Sequence, residues 1–297
     1  MYSIIPDIHA DLNRLNNSLS ALGDVAFFAF LGDFIDAGDK VKNADDRGVL
    51  QVVKLMIDRG DAISVMGNHE LNAILYHRTD AHGRPLRAHT VKNEKQHRSF
   101  LKHLGTSTPE ALEWTAWFLH ALPLWHDLGQ LRLAHACWSD SAMAIVRERR
   151  PEGFLHVDDL EEIAAESTPF GQAVKAIVSG PEVRLPDPHS FKDFGGDVRR
   201  EVRIAWWRNS ANTWRNAALS VPDVNELPNA ALPREVQAEI YESNHPPVFV
   251  GHYKMSGNPT LEAENAVCLD YPDQPCAYRW GGEETLKSEN MILVQME

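Results

Sequence analysis

The chain has 297 residues, of which 43% are apolar and 24% charged, proportions typical of a globular protein with a sizeable core. Its formal net charge of −13 at pH 7 argues against general nucleic-acid binding, which depends largely on Lys and Arg meeting phosphates. A phosphorylated substrate is not excluded, because bound divalent cations would reverse the local field.

The sequence predicts a cytoplasmic protein without membrane contact. No apolar run approaches the roughly 20 residues that span a bilayer. The first residues show neither the basic region nor the apolar stretch of a secretory signal. Cys137, Cys268 and Cys276 are too few and too scattered for a disulfide framework or a thiolate zinc site, so we expect free thiols.

The first seventy residues repeat one pattern three times. Apolar runs at 2–5, 25–31 and 62–66 have the length of buried strands, and each is followed by a polar turn. After the first two turns, apolar residues recur at helical spacing, which predicts helices at about 12–22 and 48–59. Gly23 and Gly60 are the signals for their ends. Strands that alternate with helices predict an α/β protein with a parallel or mixed sheet.

The pattern is looser beyond residue 76. A helix is predicted at about 114–122, and strands are predicted at 131–134 and 248–250, directly before His135 and Gly251-His252. The stretch from about 140 to 245 is richer in charge, Pro and Trp. We interpret it as a partly helical cap inserted into a single domain that spans residues 1–297.

Polar side chains follow the predicted strands where each strand ends. They are Asp7, His9, Asp33, Asp36, Asn68, His69, His135 and His252. Because the carboxyl ends of strands in an open α/β sheet share the edge where ligands bind, we expect these residues to converge. Carboxylate, amide and imidazole ligands without thiolates suit Mn²⁺, Fe or Zn²⁺ better than Ca²⁺ or a structural zinc.

Five short motifs in this order resemble the calcineurin-like metallophosphoesterase superfamily. They are Pro6-Asp7-Ile8-His9-Ala10-Asp11, Gly32-Asp33-Phe34-Ile35-Asp36-Ala37-Gly38, Gly67-Asn68-His69-Glu70, His135 and Gly251-His252. The third motif is most similar to the phosphoprotein-phosphatase branch, which includes bacterial protein phosphatases and dinucleoside tetraphosphatases. The resemblance covers residues 2–76 and short stretches near 131–138 and 247–254. It implies a β-sandwich of two mixed sheets flanked by helices.

The resemblance also implies a dinuclear metal site and a reaction. The first ion would be held by Asp7, His9 and Asp33, and the second by Asp33, Asn68, His135 and His252. The two divalent ions would be Mn²⁺ by preference, with Fe or Zn²⁺ as alternatives. A hydroxide between them would attack phosphorus, while His69 protonates the leaving oxygen as general acid and Asp36 orients the His69 ring.

Two departures from the family pattern affect the expected function. Ala37 stands where the protein-phosphatase branch usually has an Arg that grips phosphate, which argues against protein phosphatase activity unless another Arg takes over. The candidates are Arg78, Arg84, Arg87 and Arg98. Tyr253-Lys254 lacks the second histidine of the broader superfamily's Gly-His-x-His, which implies more open coordination at the first metal.

Several residues near the motifs have structural interpretations. Glu70 is interpreted as a carboxylate that interacts with a helix N-terminus, and Asp11 as a helix cap. The basic segment at 78–102 is interpreted as a solvated helical face with a loop. The same interpretation applies to the histidines within this segment, His82, His89 and His97, and to the flanking His77 and His103.

The predicted cap contains Trp206, Trp207 and Trp214 among several arginines. These tryptophans are interpreted as core residues; alternatively they form a wall for a nucleobase, with Arg203 or Arg208 on phosphate. We therefore expect hydrolysis of a phosphate monoester or phosphoanhydride, with a small nucleotide-like compound favoured over a phosphoprotein. A serine/threonine phosphoprotein phosphatase is the alternative. A further alternative is a non-catalytic metal-containing binding module, against which His69 and Asp36 together argue.

Overall fold

The computed structural model describes residues 1–23, 27–38, 40–193, 196–237 and 239–296. Strands β1 to β14 in these ranges are Tyr2–Ile5, Phe28–Phe30, Ala62–Ser64, Trp125–Asp127, Arg132–Ala134, Glu182–Arg184, Phe191–Lys192, Val198–Arg199, Glu201–Ile204, Ala218–Leu219, Val248–Val250, Ala266–Cys268, Cys276–Trp280 and Met291–Leu293. Helices α1 to α11 are Leu12–Leu22, Asp46–Asp58, Asn68–His77, Val91–Gln96, Arg98–Leu104, Pro109–Ala121, Asp140–Arg147, Leu160–Ala165, Pro169–Ser179, Trp214–Ala217 and Arg234–Gln237.

Two mixed sheets form the centre of the molecule. The first has the strand order β14-β13-β1-β2-β3, in which β1, β2 and β3 are parallel and β13 and β14 are antiparallel additions. The second has the order β12-β11-β5-β4, in which β12, β11 and β5 are parallel and β4 is antiparallel. Both parallel sets bring the carboxyl ends of their strands to one edge.

A buried apolar cluster joins the two sheets. Ile4 and Tyr278 from the first sheet and Leu133, Phe249 and Val267 from the second belong to this one cluster. A larger cluster covers the other faces, where helices such as α2, α3 and α6 pack. The predicted fold class, an α/β sandwich of two mixed sheets flanked by helices, is confirmed.

The early elements agree with the sequence pattern. β1 has the predicted bounds, and α1 begins after Asp11, whose carboxylate accepts a hydrogen bond from the Arg14 N–H at 3.0 Å and is the predicted cap. Gly23 ends α1 with φ +66°. In the predicted strand at 25–31, β2 occupies Phe28–Phe30, while residues 25 and 26 lie outside the described residues.

The stretch at 140–245 consists of two differently packed parts. Residues of α7, α8 and α9, such as Met143, Ile163 and Val174, belong to the main core. The small sheet β10-β9-β6 has a cluster of its own, which includes Leu185, Val202 and Trp214. The interpretation of this stretch as an inserted cap stays a prediction.

Two expectations from composition can be compared with the structure. Cys137, Cys268 and Cys276 are buried free thiols, as predicted. Among the helices of the described residues, none combines the length and apolarity that crossing a bilayer requires.

Candidate metal centre

The six residues predicted as metal ligands lie at one edge of the two sheets. Each follows a parallel strand: Asp7 and His9 follow β1, Asp33 follows β2, Asn68 follows β3, His135 follows β5 and His252 follows β11. Short apolar strands thus position side chains that are as much as 245 residues apart in the chain.

The most compact group surrounds Asn68. The Asn68 Oδ1 lies 3.0 Å from His135 Nε2 and 2.7 Å from His252 Nδ1. The His135 Nε2 is also 3.4 Å from Asp33 Oδ2. Asp33, His135 and His252 each offer a ligand atom within 4.8 Å of the other two, as an ion between them requires. These are the residues predicted for the second metal.

A second group lies on the other side of Asp33. The His9 Nε2 is 3.8 Å from Asp7 Oδ2 and 4.0 Å from Asp33 Oδ2. The His69 Nε2 is also 4.0 Å from Asp33 Oδ2, and His9, Asp33 and His69 form a group within 4.8 Å. The geometry therefore places all three predicted ligands of the first metal together, and it places His69 close enough to be a further ligand.

Backbone carbonyls orient the imidazole rings. His135 Nδ1 lies 2.6 Å from the Leu31 carbonyl oxygen, and His9 Nδ1 lies 3.3 Å from the Ile35 carbonyl oxygen. Both contacts leave Nε2 turned to the carboxylates, which is the usual way in which proteins orient a metal-ligating histidine.

The backbone itself is strained at this edge. His9, Asp33, Asp36 and His252 have φ between +51° and +72°, a left-handed conformation that residues other than Gly rarely adopt. Such positions cost roughly 1–3 kcal/mol each and persist only where the surrounding structure holds them. Four of them among the predicted site residues indicate that the site geometry is maintained at the expense of local stability.

Two glycines make the close packing possible. A Cβ at Gly251 would overlap the Asp7 carboxylate, and a Cβ at Gly67 would overlap the backbone and carboxylate of Asp33. The Asp7 carboxylate also accepts the His252 N–H, at 3.0 Å to Oδ2. The motif glycines are thus needed for close approach rather than for a turn alone.

Of the site histidines, His9 and His252 are in the neutral form that binds metals, whereas burial is outweighed at His135, where the Asp33 carboxylate raises the pKa to about 10. Burial, together with nearby cationic groups such as His69, lowers the pKa of His9 to about 3. Burial and then His135 lower the pKa of His252 well below its usual range. The Nε2 atoms of both rings are buried without a hydrogen-bond partner among the described residues. Neutral imidazoles with an unpartnered nitrogen are suitable metal ligands.

The carboxylates repel one another. Burial and then the Asp270 carboxylate raise the pKa of Asp7 well above its usual range. Burial opposes ionisation of Asp33 as well, but His135 and His69 hold the pKa of this carboxyl well below its usual range. Cations bound at this edge would offset the repulsion, and the donor set of oxygen and nitrogen atoms fits divalent metals of the Mn²⁺, Fe and Zn²⁺ type.

His69 and Asp36, predicted as the general acid and its orienting partner, are hydrogen bonded. His69 Nδ1 lies 2.8 Å from Asp36 Oδ2. Burial opposes protonation of His69, but the Asp33 and Asp36 carboxylates outweigh it and raise the pKa to about 9. Burial likewise opposes ionisation of Asp36, and His97 and His69 hold its pKa below the usual range. The pair can therefore hold a proton beside the ligand residues.

The interpretation of the segment after α3 as a solvated face is wrong for two of its histidines. His77 and His97 are each only 4% exposed, and His97 Nδ1 lies 2.7 Å from Asp36 Oδ1. His103 is half-buried, and its Nδ1 lies 3.0 Å from Asp46 Oδ2. His82 is exposed, as predicted. His97, together with Asn93 and Gln96 of α4, therefore forms part of the wall of the site.

Arg87, one of the four candidate arginines, reaches the site. It lines a small cavity together with Asp36, Asn68, His69 and His97. Its hydrogen bonds go to the side-chain amide oxygens of three residues, which are Asn72, Asn93 (3.0 Å) and Gln96 (2.9 Å).

Two other arginines that the sequence left as candidates lie elsewhere. Arg84 is exposed and pairs with Asp80, at 2.7 Å between Nη2 and Oδ2. Arg78 lines a separate groove with His120 and Arg150.

The residues proposed for substrate contact in the cap have other partners. Arg208 pairs with Glu262, at 2.7 Å between Nη2 and Oε1. Arg203 Nε lies 3.2 Å from Glu182 Oε1, but Arg203 also lines the cleft that begins at Asn68.

The tryptophans form no wall for a nucleobase. Trp206, Trp207 and Trp214 are 1%, 0% and 3% exposed, so their interpretation as core residues is confirmed.

Sequence reasoning missed Asp270, which follows β12. Its side chain is buried, its Oδ1 has no hydrogen-bond partner among the described residues, and its Oδ2 accepts the Lys254 N–H at 2.9 Å. The signal was the same as for the predicted ligands, an apolar run at 266–269 that ends in a carboxylate. His97 also had a signal, since it shares one helix face with the buried Phe100 and Leu104 at spacings of three and seven residues.

Comparison with known proteins defines the class. The model of the calcineurin-like phosphoesterase family matches residues 3–180, more than half of the 297-residue chain. The chain belongs to the calcineurin-like phosphoesterase family. It is a hydrolase of phosphoric esters or anhydrides, and the family to which it belongs uses divalent metals. No curated protein matches the sequence.

Solved structures give more distant similarities. A candidate diadenosine tetraphosphatase is 16% identical, with 99% of this chain and 93% of that chain covered and a TM-score of 0.45. A protein serine/threonine phosphatase from Saccharomyces cerevisiae is 12% identical, with 98% and 78% covered and a TM-score of 0.47. A metallophosphoesterase from Sphaerobacter thermophilus is 23% identical, with 51% and 55% covered and a TM-score of 0.31.

Proposed function

We propose that this protein hydrolyses a small phosphorylated compound, with nucleotide-like phosphoanhydrides as the favoured class. The observation that carries the proposal is the position of Arg87 in one cavity with Asn68 and His69. Its hydrogen bonds go to amide oxygens rather than to carboxylates, although the Asp36 and Glu166 carboxylates lie close enough to attract its charge. A half-buried guanidinium beside the predicted metal ligands is suited to hold phosphate oxygens, the role for which Ala37 provides no side chain.

The size of the cleft favours a small substrate, and its basic side chains suit one with more than one phosphate. The cleft has a volume of about 930 Å³, and its lining includes the basic residues Arg87, Lys92, Lys175 and Arg203 together with the acidic residues Glu166, Glu182 and Glu201. This volume falls within the usual range for small-molecule sites. The basic side chains that lie beyond the scissile phosphate would bind the remaining phosphates of an anhydride. A phosphoserine peptide remains the alternative substrate.

The metal ligands would divide as the family resemblance implies. Asp7, His9 and Asp33 would hold one divalent ion, and the second would be held by Asp33, Asn68, His135 and His252. Mn²⁺ is favoured, with Fe or Zn²⁺ as alternatives. Bound there, the ions would polarise the phosphoryl oxygens and lower the pKa of water.

The chain's own residues would supply binding and proton transfer. Arg87 would orient the phosphate. His69 keeps one nitrogen hydrogen bonded to Asp36, so its Nε2 is the atom that can give a proton to the leaving oxygen. That oxygen takes the electron pair of the broken P–O bond. The cytoplasmic location and the lack of general nucleic-acid binding expected from the sequence stay predictions.

A substrate panel at fixed metal loading tests the proposal. Protein stripped with EDTA is assayed after addition of Mn²⁺, Fe²⁺, Zn²⁺ or Mg²⁺, against a dinucleoside polyphosphate, a nucleoside monophosphate and a phosphoserine peptide. We expect metal-dependent turnover, with the highest kcat/KM for the dinucleoside polyphosphate. Faster turnover of the phosphopeptide would overturn the substrate assignment. Lack of turnover with every metal and substrate would overturn the proposed reaction.

A further inference from the structure

A continuous line of hydrogen bonds leads from His69 away from the metal ligands into the helical layer. Asp36 accepts at Oδ2 from His69 Nδ1, over 2.8 Å, and its Oδ1 lies 2.7 Å from His97 Nδ1. His97 Nε2 lies 3.0 Å from His77 Nε2. The line ends where the Ser107 backbone N–H donates to His77 Nδ1 over 2.9 Å.

The backbone at the far end determines the direction of every bond in the line. A backbone N–H can only donate, so His77 Nδ1 must be an acceptor and the His77 proton must be on Nε2. That proton can be shared only if His97 Nε2 accepts it, which makes His97 neutral and places its proton on Nδ1. His97 then donates to Asp36 Oδ1, and Asp36, as a carboxylate, accepts from His69 Nδ1–H as well.

Packing holds the rings of this line in place. The His97 ring stacks on Phe100, with centroids 4.6 Å apart and planes at 17°, and lies 5.1 Å from the Tyr76 ring. Asp36, His77 and His97 are each 4% exposed. Burial and then His97 lower the pKa of His77 to about 4, in agreement with a neutral His77 ring.

We propose that His97 and His77 are positioning residues for the leaving-group acid. By donating to Asp36 Oδ1, His97 fixes the rotation of that carboxylate and leaves Oδ2 to receive His69 Nδ1–H. His69 is thereby kept in the ring orientation in which Nε2 faces Asp33 and the substrate. His77 sets the tautomer of His97. The inference rests on the proposed role of His69 in the proposed function.

A purely structural role would have a different consequence. A buried network that only stabilises the fold would, when broken, reduce turnover of all substrates equally. A network that positions the acid matters only where the leaving oxygen needs a proton. Substrates with different leaving groups therefore separate the two roles.

The test compares variants of the full-length protein reconstituted with Mn²⁺. His97→Leu removes both hydrogen bonds, whereas His97→Asn keeps an N–H donor close to Asp36. His126→Leu is the matched control, because His126 is a partly buried histidine that bonds the Ser64 carbonyl oxygen, 3.0 Å away, and lies outside the line. The substrates are an alkyl phosphate, whose leaving alkoxide needs a proton, and 4-nitrophenyl phosphate, whose leaving phenolate does not.

We expect His97→Leu to lower kcat for the alkyl phosphate by about 10–100-fold at little change in KM, the usual effect of losing a residue that orients an active group. The loss for 4-nitrophenyl phosphate should be several-fold smaller. His97→Asn should recover part of the alkyl phosphate activity, and His126→Leu should not separate the two substrates. In a His69→Asn background, His97→Leu should have little further effect. Equal losses for both substrates, or an undiminished loss in that background, would overturn the inference.

A measurement without turnover separates this inference from the proposed function. In ¹⁵N spectra of the histidine rings, recorded with Mg²⁺, His77 Nδ1 should show the shift of an unprotonated nitrogen and Nε2 that of a protonated one. A protonated Nδ1 would overturn the direction of the line even if the enzyme is active. The expected shifts in a protein that hydrolyses none of the substrates would confirm the line of bonds and reject the role in catalysis.

Discussion

Glu70 holds the backbone of Asp33 in its left-handed conformation. The Glu70 Oε2 accepts the Asp33 N–H at 2.8 Å, and Oε1 accepts the Phe34 N–H at 2.8 Å. Oε2 also accepts the Gly67 N–H at 3.0 Å, at the start of α3, where the sequence predicted a carboxylate that interacts with the helix N-terminus. A side chain that follows β3 thus fixes the position of Asp33, the predicted ligand that follows β2.

Removal of this carboxylate should destabilise the protein. Glu70→Ala leaves buried N–H groups of Asp33 and Phe34 without acceptors, at a cost of about 1–3 kcal/mol each. Denaturant unfolding of the metal-free protein should therefore show a loss of at least ~2 kcal/mol, and Glu70→Gln, which keeps one oxygen, should lose less. Glu110→Ala is the control, because this half-exposed residue pairs with Arg47 at the surface and should cost no more than about 1 kcal/mol. Similar losses for Glu70→Ala and Glu110→Ala would show that Glu70 does not hold the site.

A methyl group at position 251 should weaken metal binding. In Gly251→Ala the new Cβ overlaps the Asp7 carboxylate, which must move out of its position. We expect at least tenfold weaker Mn²⁺ binding by titration calorimetry, the size of effect seen when the surroundings of a metal ligand are altered. Gly38→Ala is the matched control in the motif after β2, since a Cβ there meets no atom within 4 Å among the described residues. Unchanged affinity in Gly251→Ala would remove Asp7 from the ligand set.

Loss of the Arg87 charge should weaken substrate binding. A hydrogen bond to a charged group contributes about 1.5–3 kcal/mol, so Arg87→Gln should lower kcat/KM by roughly 10–100-fold, mainly through KM. Arg84→Gln removes the same side chain three residues away, where it is exposed and paired with Asp80. The measurement is the steady-state kinetics of both variants on one substrate. Equal KM values for Arg87→Gln and Arg84→Gln would exclude Arg87 as the phosphate contact.

His69→Asn tests the leaving-group acid. If His69 is the general acid, kcat should fall by about 10²–10⁴-fold. The metal content of the purified variant must be measured as well, because His69 Nε2 lies 4.0 Å from Asp33 Oδ2 in one of the two possible ligand groups. A normal metal content with reduced kcat supports the acid, whereas a parallel loss of metal would make His69 a ligand. Unchanged kcat would exclude both roles.

Metal binding should stabilise the fold. A ligand that binds only the folded state adds about 2.7 kcal/mol at a hundredfold excess over its Kd, so Mn²⁺ added to EDTA-stripped protein should raise Tm. Asp33 lies in both candidate ligand groups, so Asp33→Asn should abolish most of this shift. Asp58→Asn, at an exposed pair with Lys54, should leave it intact. A Tm that does not respond to Mn²⁺, Fe²⁺, Zn²⁺ or Mg²⁺ would contradict a metal site at this edge of the sheets.

The convergence of the predicted ligands at one edge could be predicted because its signals are local. Each predicted ligand stands directly after a short apolar run, and strands of that kind bring their carboxyl ends to one edge. The same rule applies to Asp270, which directly follows the apolar run at 266–269. The left-handed backbone at His9, Asp33, Asp36 and His252 had no sequence signal, because none of these residues is a glycine.

The surroundings of the site could be predicted less well. Charge and polarity indicated a solvated segment after α3, yet Phe100 and Leu104 anchor α5 in the core and carry His97 with them. For the tryptophans of the predicted cap, the interpretation as core residues is right and the alternative, a wall for a nucleobase, is wrong. Trp206 and Trp207 are buried and therefore not available to a base. Composition cannot distinguish these cases, because burial depends on which distant segments pack against a helix.

The sequence by itself determined the α/β class, the order of strand and ligand along the chain, and the family, because hydrophobic periodicity and short motifs are properties of neighbouring residues. Only the tertiary structure decided that Glu70 supports Asp33, that Arg87 reaches the site and that His97 bonds to Asp36. The hydrogen bonds of Glu70 to Asp33, of Arg87 to Asn72 and of His97 to Asp36 join residues 37, 15 and 61 positions apart, and they form only when the packed core brings these segments together.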